Sequence, residues 1–191
     1  HNALIAYSTV IPNSGEAGTA KRASARKRVE RWLELRYLTG FSEWLSHVYY
    51  DEDITALLSL ADFAPDPIIA TRARMILDLL LIDIAANSLH GAFGSTHGRS
   101  YPREKRFADT EATSDLALLA FGSGRTTGCD AMGAFALAVS TSYEPPPIAA
   151  QIAREVGPAA TVSLQRMGFD VHDSRKWGID PRREADAFVL L

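Results

Sequence analysis

Cysteine is almost absent from this sequence, which has only Cys129 among its 191 residues. A single cysteine excludes an internal disulfide and a cysteine-rich metal site, and it leaves the cellular compartment open. Long apolar runs are absent too: the most apolar stretch, residues 75–86, is too short to span a membrane and contains Asp78 and Asp83. The net charge of −3 gives no electrostatic reason to expect nucleic acid. We therefore expect neither a membrane nor a nucleic acid as a partner.

Motifs with well-understood chemistry are missing as well. The segment GSGRTTG, residues 122–128, lacks the lysine and the spacing of a P-loop. The sequence contains neither the G-x-S-x-G turn of serine hydrolases nor the H-E-x-x-H helix of zinc proteases. Helix capping explains the acidic triplet at 51–53 more readily than cation binding does. A solvated helix face explains the basic run at 21–31 more readily than a phosphate-binding patch does. We expect no metal and no cofactor.

No alternation of apolar and polar residues indicates a strand or hairpin, whereas apolar residues recur at helical spacing along most of the chain. Helices are predicted over residues 19–38, from Asp51 or Asp53 to Phe63, and over 67–89, 115–121, 130–140 and 148–156. The residues from 161 onward are less regular, with a further helix predicted over 182–191. The sequence therefore predicts a single all-α domain over residues 1–191, built of antiparallel helical hairpins.

The helix predicted over 67–89 is apolar on nearly every side, so it should lie at the centre of its domain. Asp83, Asn87 and His90 form one polar stripe along it, at positions i, i+4 and i+7. Buried polar groups must be paired. The stripe is explained either by an internal network that fixes how the helices pack, which is favoured, or by a substrate cavity that Asn87 and His90 face.

A glycine-rich polar loop follows this helix, with the sequence GAFGSTHGRSY at residues 91–101. Its three glycines permit backbone conformations that let a ligand approach closely. His97 can act as an acid or a base near neutral pH, Arg99 can bind a carboxylate through two hydrogen bonds, and Tyr101 can stack on a sugar or transfer a proton. This loop is the strongest candidate site in the sequence. The alternative is a structural loop in which Arg99 binds a helix end.

A second candidate segment, residues 40–53, is rich in aromatic and acidic residues but shows neither strand nor helix periodicity. It contains Glu43, Trp44, His47, Tyr49 and Tyr50. A tryptophan beside a glutamate is common in carbohydrate sites, because an indole ring stacks on the apolar face of a sugar. Core aromatics with a helix-capping acid are the favoured alternative. If both segments lie on one side of the helices, they would face each other across a cleft.

Two long stretches carry a resemblance to known proteins: GFSEWLSHVYYDEDITALLSLADFA at residues 40–64, and MILDLLLIDIAANSLHGAFGSTHGRSY at residues 75–101. They are similar to a bacterial family of largely uncharacterised proteins of the (α/α) toroid class, which includes heparinase- and alginate-lyase-like enzymes and six-hairpin glycosidases. The resemblance covers residues 31–106 well and the remainder loosely. It implies part of an (α/α) toroid or helical solenoid. Because His1 would fall partway into such a protein, a fragment of a longer chain is expected.

The resemblance favours a carbohydrate-active enzyme, and foremost a polysaccharide lyase that cleaves uronate-containing chains by β-elimination. That reaction needs a base, a group that neutralises the carboxylate and an acid for the leaving oxygen, and it does not require a metal. The expected groups are His97 or Tyr50 as base, Arg99 with Asn87 as neutraliser, Tyr101 or Tyr49 as acid, and His90 and Trp44 in substrate binding.

Two other functions remain open. A glycoside hydrolase of the same architecture would need well-placed carboxylates, with Glu43 the best candidate and Asp83 a poorer, more buried one. A helical-repeat binding or scaffold protein without catalysis would keep the two candidate segments apart. The partner of either enzyme would be a polysaccharide or an oligosaccharide. The identity of the sugar, the oligomeric state and the compartment (secreted, periplasmic or cytoplasmic) do not follow from the sequence.

Overall fold

The fold is known from a computed structural model, which describes residues 18–94, 97–126, 131–155, 162–165, 170–180, 182–183 and 186. Helices form nearly all of the regular structure in these ranges, and no β-strand occurs there beyond an isolated antiparallel bridge between Leu89 and Ala92. The all-α class predicted from the sequence is confirmed. Most of the helix predicted over 182–191 lies outside the described residues. None of the helices in the described ranges is both long enough and apolar enough to cross a membrane.

The chain divides into two compact units, one formed by His1–Ser42 and Gln165–Leu191, the other by Glu43–Leu164. In the first unit, helix α1 spans Gly18–Thr39 and a 3-10 helix spans Val171–Trp177. α1 ends where the sequence predicts, at Gly40, whose φ of +68° favours glycine. The sequence predicts a single domain over residues 1–191, and that stays a prediction.

The basic run at 21–31 lies on α1, and all of its side chains are exposed or half-buried. Arg26 pairs with Glu30 at 3.0 Å and Arg31 pairs with Glu34 at 2.7 Å, each about one turn along the helix. Such pairs on an exposed helix contribute at most about 0.5 kcal/mol each. These contacts match a solvated helix face, which is the favoured explanation of this run.

The second unit contains the other helices and most of both candidate segments. Helix α2 spans His47–Phe63, α3 Pro67–Ala86, α4 Pro102–Arg106, α5 Thr113–Phe121, α6 Met132–Val139 and α7 Pro147–Arg154, with a 3-10 turn at Ala108–Thr110. α3 packs against α2, α5 and α7. Its buried residues are Ile69, Ala70, Ala73, Ile76, Leu77, Leu80, Leu81, Ile84 and Ala85. The apolar helix of the sequence therefore lies at the centre of this unit, as predicted.

Both ends of α3 follow from local chemistry. The Asp66 side chain accepts a hydrogen bond from the backbone N–H of Ile68 at 2.9 Å, and Pro67 occupies the first helical position, where no donor is needed. At the other end, the Asn87 side chain donates to the carbonyl of Asp83 at 2.9 Å. Because Asn87 takes a non-helical conformation, α3 ends at Ala86 and does not reach Leu89 as predicted.

Helix α2 begins at His47, with Ser46 as its N-cap. The lack of helix periodicity in residues 40–53 predicts a loop between two helices, and this prediction is wrong for residues 47–53, which are helical. The prediction that Asp51 or Asp53 caps this helix is wrong for the same reason, because both residues lie inside it. The buried Asp51 carboxylate instead accepts from the backbone N–H of Gly133 at 2.9 Å, at the start of α6. Asp51 therefore helps to cap a helix that is distant in sequence.

A second carboxylate on α2 binds the other end of α6. Asp62 accepts hydrogen bonds from the Ser140 hydroxyl and from the backbone N–H groups of Thr141 and Ser142, at 3.0–3.3 Å. Partial burial alone would raise the pKa of Asp62, but these hydrogen bonds outweigh it and hold the pKa below its ordinary value. With Asp51 at the start of α6 and Asp62 past its end, α2 and α6 run side by side in the same direction.

The turn after α3 depends on Gly91, whose φ is +81° and where a Cβ would overlap the backbone nitrogen of Gly124. We predict that Gly91→Ala lowers the free energy of unfolding by at least about 2 kcal/mol, because it combines left-handed strain with a backbone clash. Gly94→Ala is the control, since a Cβ there would meet only the Ala108 Cβ at 3.5 Å. Urea unfolding followed by circular dichroism measures both variants, and equal losses would contradict the prediction.

Candidate functional site

The glycine-rich loop packs against the start of α2, so the two candidate segments contact each other. The His47 ring donates to the carbonyl of Arg99, with 3.2 Å between Nε2 and the oxygen. The Arg99 guanidinium lies over the Tyr49 ring, 5.2 Å from its centroid. The Glu43 carboxylate lies beside Gly98, where a Cβ would be 3.3 Å from Oε2. Residues from both segments therefore form one surface of the second unit, which we call the Glu43–Arg99 surface.

His47 joins three parts of the chain through its two ring nitrogens. The backbone N–H of Ala112 donates to Nδ1 at 3.0 Å, so Nδ1 carries no proton and the proton must sit on Nε2, which faces the Arg99 carbonyl. Burial lowers the pKa of His47, although the Arg99 carbonyl acts in the opposite direction. His47 is therefore a neutral structural link with no free lone pair for proton transfer.

His97 forms a buried pair with Glu111. Its Nδ1 donates to the Gly98 carbonyl at 2.8 Å, and its Nε2 lies 3.1 Å from Glu111 Oε1. The His97 side chain is 0% exposed and that of Glu111 is 2% exposed. Because Nδ1 already donates, one proton lies between Nε2 and Oε1. Both ring nitrogens of His97 are thus occupied, and substrate cannot reach them in this conformation.

Burial raises the pKa of Glu111 to about 7, although the charge of a protonated His97 acts against this shift. Within the residues that the structure describes, the buried Glu111 Oε2 has no hydrogen-bond partner, and neither do the buried side-chain oxygens of Ser46 and Thr113. An ionised Glu111 would carry negative charge on an oxygen that none of these residues stabilises with a donor. The arrangement therefore favours the protonated carboxyl. Sequence reasoning missed Glu111, because no motif marks it and it lies 14 residues from His97.

Aromatic rings connect this pair to the interior. Tyr50 stacks on Phe93 with 6.2 Å between centroids, and Phe93 stacks on His97 at 6.1 Å. His97 in turn lies 5.2 Å from the ring of His47. Phe93 was not among the residues that the sequence singled out. Through these ring contacts the glycine-rich loop packs against α2. Such contacts stabilise the packing beyond the burial of apolar area alone.

Asp83 anchors the aromatic segment to α3. It accepts hydrogen bonds from the Tyr50 hydroxyl at 3.0 Å and from the Trp44 indole at 3.3 Å. Burial raises the pKa of Asp83, against the effect of these two donors, and burial beside Asp83 raises the pKa of Tyr50 far above its ordinary value. Tyr50 is fully buried. A phenolate at Tyr50 is therefore strongly disfavoured. Asp83, the first residue of the polar stripe on α3, belongs to an internal hydrogen-bond network.

Three other predicted residues lie elsewhere on the second unit. Asn87 caps α3 and also approaches the Ser163 hydroxyl at 3.4 Å. His90 is exposed in a left-handed turn with a φ of +52°. Tyr101 is exposed at the start of α4, and its backbone N–H donates to Glu104. Within the described part of the chain, no hydrogen bond or ring contact links these three side chains to the Glu43–Arg99 surface.

Two charged residues that the sequence singled out, Glu43 and Arg99, are exposed here, and they flank Gly98. Among the residues that the structure describes, neither the Glu43 carboxylate nor the Arg99 guanidinium has an ion-pair partner. The described ranges also contain no group of three His, Cys, Asp or Glu side chains placed to hold a metal ion. The chemistry available at this surface is therefore that of an unpaired guanidinium, a phenol and a carboxylate.

Comparison of the chain with protein-family models, with curated proteins and with solved structures gave no match. A function must therefore be argued from the geometry of the Glu43–Arg99 surface.

We predict that Glu111→Gln changes how stability depends on pH. A carboxyl whose pKa rises from 4.5 to about 7 on folding stabilises the fold at acidic pH, and this contribution is lost as the pH rises through about 7. Glutamine carries no titratable proton and can donate to His97 in place of the carboxyl. The free energy of unfolding of the variant, relative to the natural protein, should therefore increase between pH 4.5 and 7, by at most about 3 kcal/mol.

Chemical unfolding at a series of pH values measures this difference. His47 has a lowered pKa, so it contributes stability above its ordinary pKa of 6.5 and loses it as the pH falls. Since His47 is present in both proteins, its opposite trend cancels in the comparison. A difference between the two proteins that stays constant over this range would contradict the shared proton.

Two substitutions of His47 separate its two hydrogen bonds. Asparagine places an oxygen near the position of Nδ1, and glutamine places an amide nitrogen near that of Nε2. We predict that His47→Asn keeps the Ala112 amide proton protected from exchange while His47→Gln does not, and that each variant loses about 1–3 kcal/mol of stability. Hydrogen exchange followed by NMR measures the protection. Equal protection of Ala112 in both variants would be inconsistent with the assigned tautomer.

Proposed function

We propose that this protein is a polysaccharide lyase that cleaves uronate-containing chains by β-elimination at the Glu43–Arg99 surface. The observation that carries the proposal is the state of Arg99: its exposed guanidinium lies over Tyr49 and has no acidic partner in the described part of the chain. An unpaired guanidinium is well suited to a carboxylate, because its planar fork donates two parallel hydrogen bonds. A uronate supplies such a carboxylate.

In this proposal Arg99 binds the uronate carboxylate and stabilises the negative charge that develops there. The charge forms when the proton on the adjacent carbon is removed, so the guanidinium acts most strongly in the transition state. His97 and Tyr50, the bases expected from the sequence, are enclosed with their polar atoms in hydrogen bonds. We therefore assign both proton transfers to Tyr49, whose ring lies beneath the guanidinium. Tyr49 takes the proton from that carbon and passes it to the glycosidic oxygen, as the carbon–oxygen bond breaks and the carbon–carbon double bond forms.

Glycoside hydrolysis is the second candidate, and Glu43 supports it. Its carboxylate is exposed beside Gly98, and within the described residues no cation pairs with it. A hydrolase of this kind uses a carboxylic acid to protonate the leaving oxygen, together with a second carboxylate. In the lyase proposal, Glu43 instead contacts sugar hydroxyls near Arg99. Binding of an acidic polysaccharide without catalysis would use the same Arg99 contact.

The toroid or solenoid architecture expected from the sequence is part of this proposal. Helices α2 and α3 support this architecture, because they form an antiparallel hairpin. Tyr50, at the start of α2, donates a hydrogen bond to Asp83, near the end of α3. Paired helices of this kind are the repeating unit of such folds. The hairpin places the Glu43–Arg99 surface at one end of the helix pair.

Substitution of Arg99 tests the proposal. We predict that Arg99→Ala lowers kcat/KM on a uronate-containing polysaccharide by about 100-fold or more, and that Arg99→Lys restores part of the loss. Arg125→Ala is the matched control, because Arg125 is equally a surface arginine but pairs with Asp109 at 2.9 Å. Activity is measured as the ultraviolet absorbance of the unsaturated uronate product.

The same reactions are analysed for reducing ends, and binding of each polysaccharide is measured by calorimetry. Reducing ends without the absorbance, abolished by Glu43→Gln, would replace the lyase with a hydrolase. Binding that requires Arg99 without any cleavage would leave a binding protein. If Arg99→Ala behaves like Arg125→Ala in all three assays, the Glu43–Arg99 surface is not the site.

A further inference from the structure

Helix α4, Pro102–Arg106, exposes its basic residues and buries its only acidic one. Every residue from Tyr101 to Phe107 is exposed except Glu104. Glu104 Oε1 accepts a hydrogen bond from Arg103 Nε at 2.7 Å, and Oε2 accepts one from the backbone N–H of Tyr101 at 3.1 Å. The negative charge of α4 is therefore enclosed and paired, so the outer side of this helix is positively charged.

Lys105 and Arg106 lie in the last turn of α4, and within the described part of the chain neither has an acidic partner. At about 100° per residue, Arg106 lies on the side of the helix opposite the buried Glu104. An exposed aromatic ring flanks each end of the helix, Tyr101 at 58% and Phe107 at 59%. Cations between exposed rings suit a ligand that offers both anionic groups and flat apolar faces. We call these four residues the α4 strip: Tyr101, Lys105, Arg106 and Phe107.

The α4 strip begins next to the Glu43–Arg99 surface. Tyr101 follows Arg99 by two residues, and Arg103, at the start of α4, is near enough to His47 for their charges to interact. His47 in turn donates to the Arg99 carbonyl. From Arg99 to Arg106 the backbone spans at most about 16 Å, because it consists of a short non-helical stretch and one helical turn. One extended polymer can therefore reach both residues.

We propose that the α4 strip binds further anionic sugars of the polysaccharide whose uronate Arg99 holds. This inference rests on the proposed function and narrows its substrate class to chains in which neighbouring sugars carry carboxylates. Lys105 and Arg106 contact those carboxylates, and Tyr101 and Phe107 stack on the apolar faces of the sugar rings. Because these contacts lie beyond the sugar at Arg99, they contribute affinity for long chains and not for short ones.

A polysaccharide fits the α4 strip better than a nucleic acid does, although both bind cations beside aromatic rings. The net charge of −3 opposes a phosphate backbone, and so does the exposed Glu43 carboxylate beside Gly98. The same carboxylate can accept hydrogen bonds from sugar hydroxyls. A membrane surface fits less well, because α4 is only five residues long and has no apolar face to insert.

Oligosaccharides of galacturonic acid test the proposal, since every sugar in them carries a carboxylate. Calorimetry measures the affinity for each length from the dimer to the octamer, in a reference protein and in Lys105→Gln/Arg106→Gln. Both carry Tyr49→Phe, which keeps the ring beneath Arg99 but lacks the hydroxyl assigned to proton transfer. We expect the double variant to bind the shortest oligomers as the reference does, and the octamer at least about fivefold more weakly.

The matched charge control is Arg72→Gln/Arg74→Gln, which removes the same charge from the start of α3, at the far end of that helix from Asp83. It should leave the affinity for every oligomer unchanged, whereas an effect of net charge alone would weaken both double variants equally. Far-ultraviolet circular dichroism verifies that each variant is folded.

The aromatic rings are tested with a second pair of variants. Phe107→Ala should weaken binding of the octamer, and Phe63→Ala should not, although Phe63 is 69% exposed at the end of α2. At about 1 M salt the loss in Lys105→Gln/Arg106→Gln should shrink while that in Phe107→Ala remains, because salt screens exposed charges and not ring stacking.

A loss that appears only with the longer oligomers, in both Lys105→Gln/Arg106→Gln and Phe107→Ala, supports the proposal. A double variant that matches the reference at every length overturns it, and so does an equal loss in Arg72→Gln/Arg74→Gln. Tighter binding of a single-stranded oligonucleotide or of anionic vesicles than of the octamer, through the same residues, would replace the polysaccharide and overturn the proposal too.

The proposed function can fail separately from the α4 strip. Cleavage, and its loss in Arg99→Ala, are measured in proteins whose α4 is unchanged. A lyase whose α4 substitutions leave the affinity unchanged at every length refutes only the α4 strip. A protein that binds long oligomers through α4 and cleaves no polysaccharide refutes only the lyase.

Discussion

The Glu43–Arg99 surface depends on one neutral imidazole. His47 accepts from the backbone of Ala112 and donates to the backbone of Arg99, so a single side chain joins the start of α2, the approach to α5 and the glycine-rich loop. Protonation of His47 would turn its acceptor into a donor and leave two N–H groups facing each other. The low pKa that burial imposes is therefore necessary for the geometry.

The pair of His97 and Glu111 supports the same loop in another way. A buried acid and a buried base that share one proton carry no net charge, so the interior avoids the large penalty of an isolated ion. Either a gained or a lost proton would leave a net charge in an apolar setting lined by Phe93. His97, the expected acid or base of the glycine-rich loop, thus holds the loop in place. Arg99, two positions later, is exposed and remains available to a ligand.

The sequence was informative about several features that are local. The periodicity of α3, the Pro67 start and the Gly40 stop all act over a few residues, and the structure has them. The start of α2 was misjudged, because its first five residues include His47, Tyr50 and Asp51. Elements far along the chain bury these side chains, so the helical pattern is obscured. Glu111 and the inward position of His97 could not be predicted, since they follow from packing between segments that no spacing rule connects.

The backbone conformation at Arg99 bears on the role of its side chain. Arg99 has a φ of +55°, a left-handed conformation that glycine adopts without strain and that costs a residue with a Cβ about 1 kcal/mol or more. The hydrogen bond from His47 stabilises that conformation through the carbonyl, which any residue would offer. Folding alone would therefore be served better by glycine at this position. Leu45 and His90 adopt the same conformation, so the strain alone does not mark a site, but an exposed arginine that lies there over Tyr49 agrees with the proposal that its guanidinium binds a ligand.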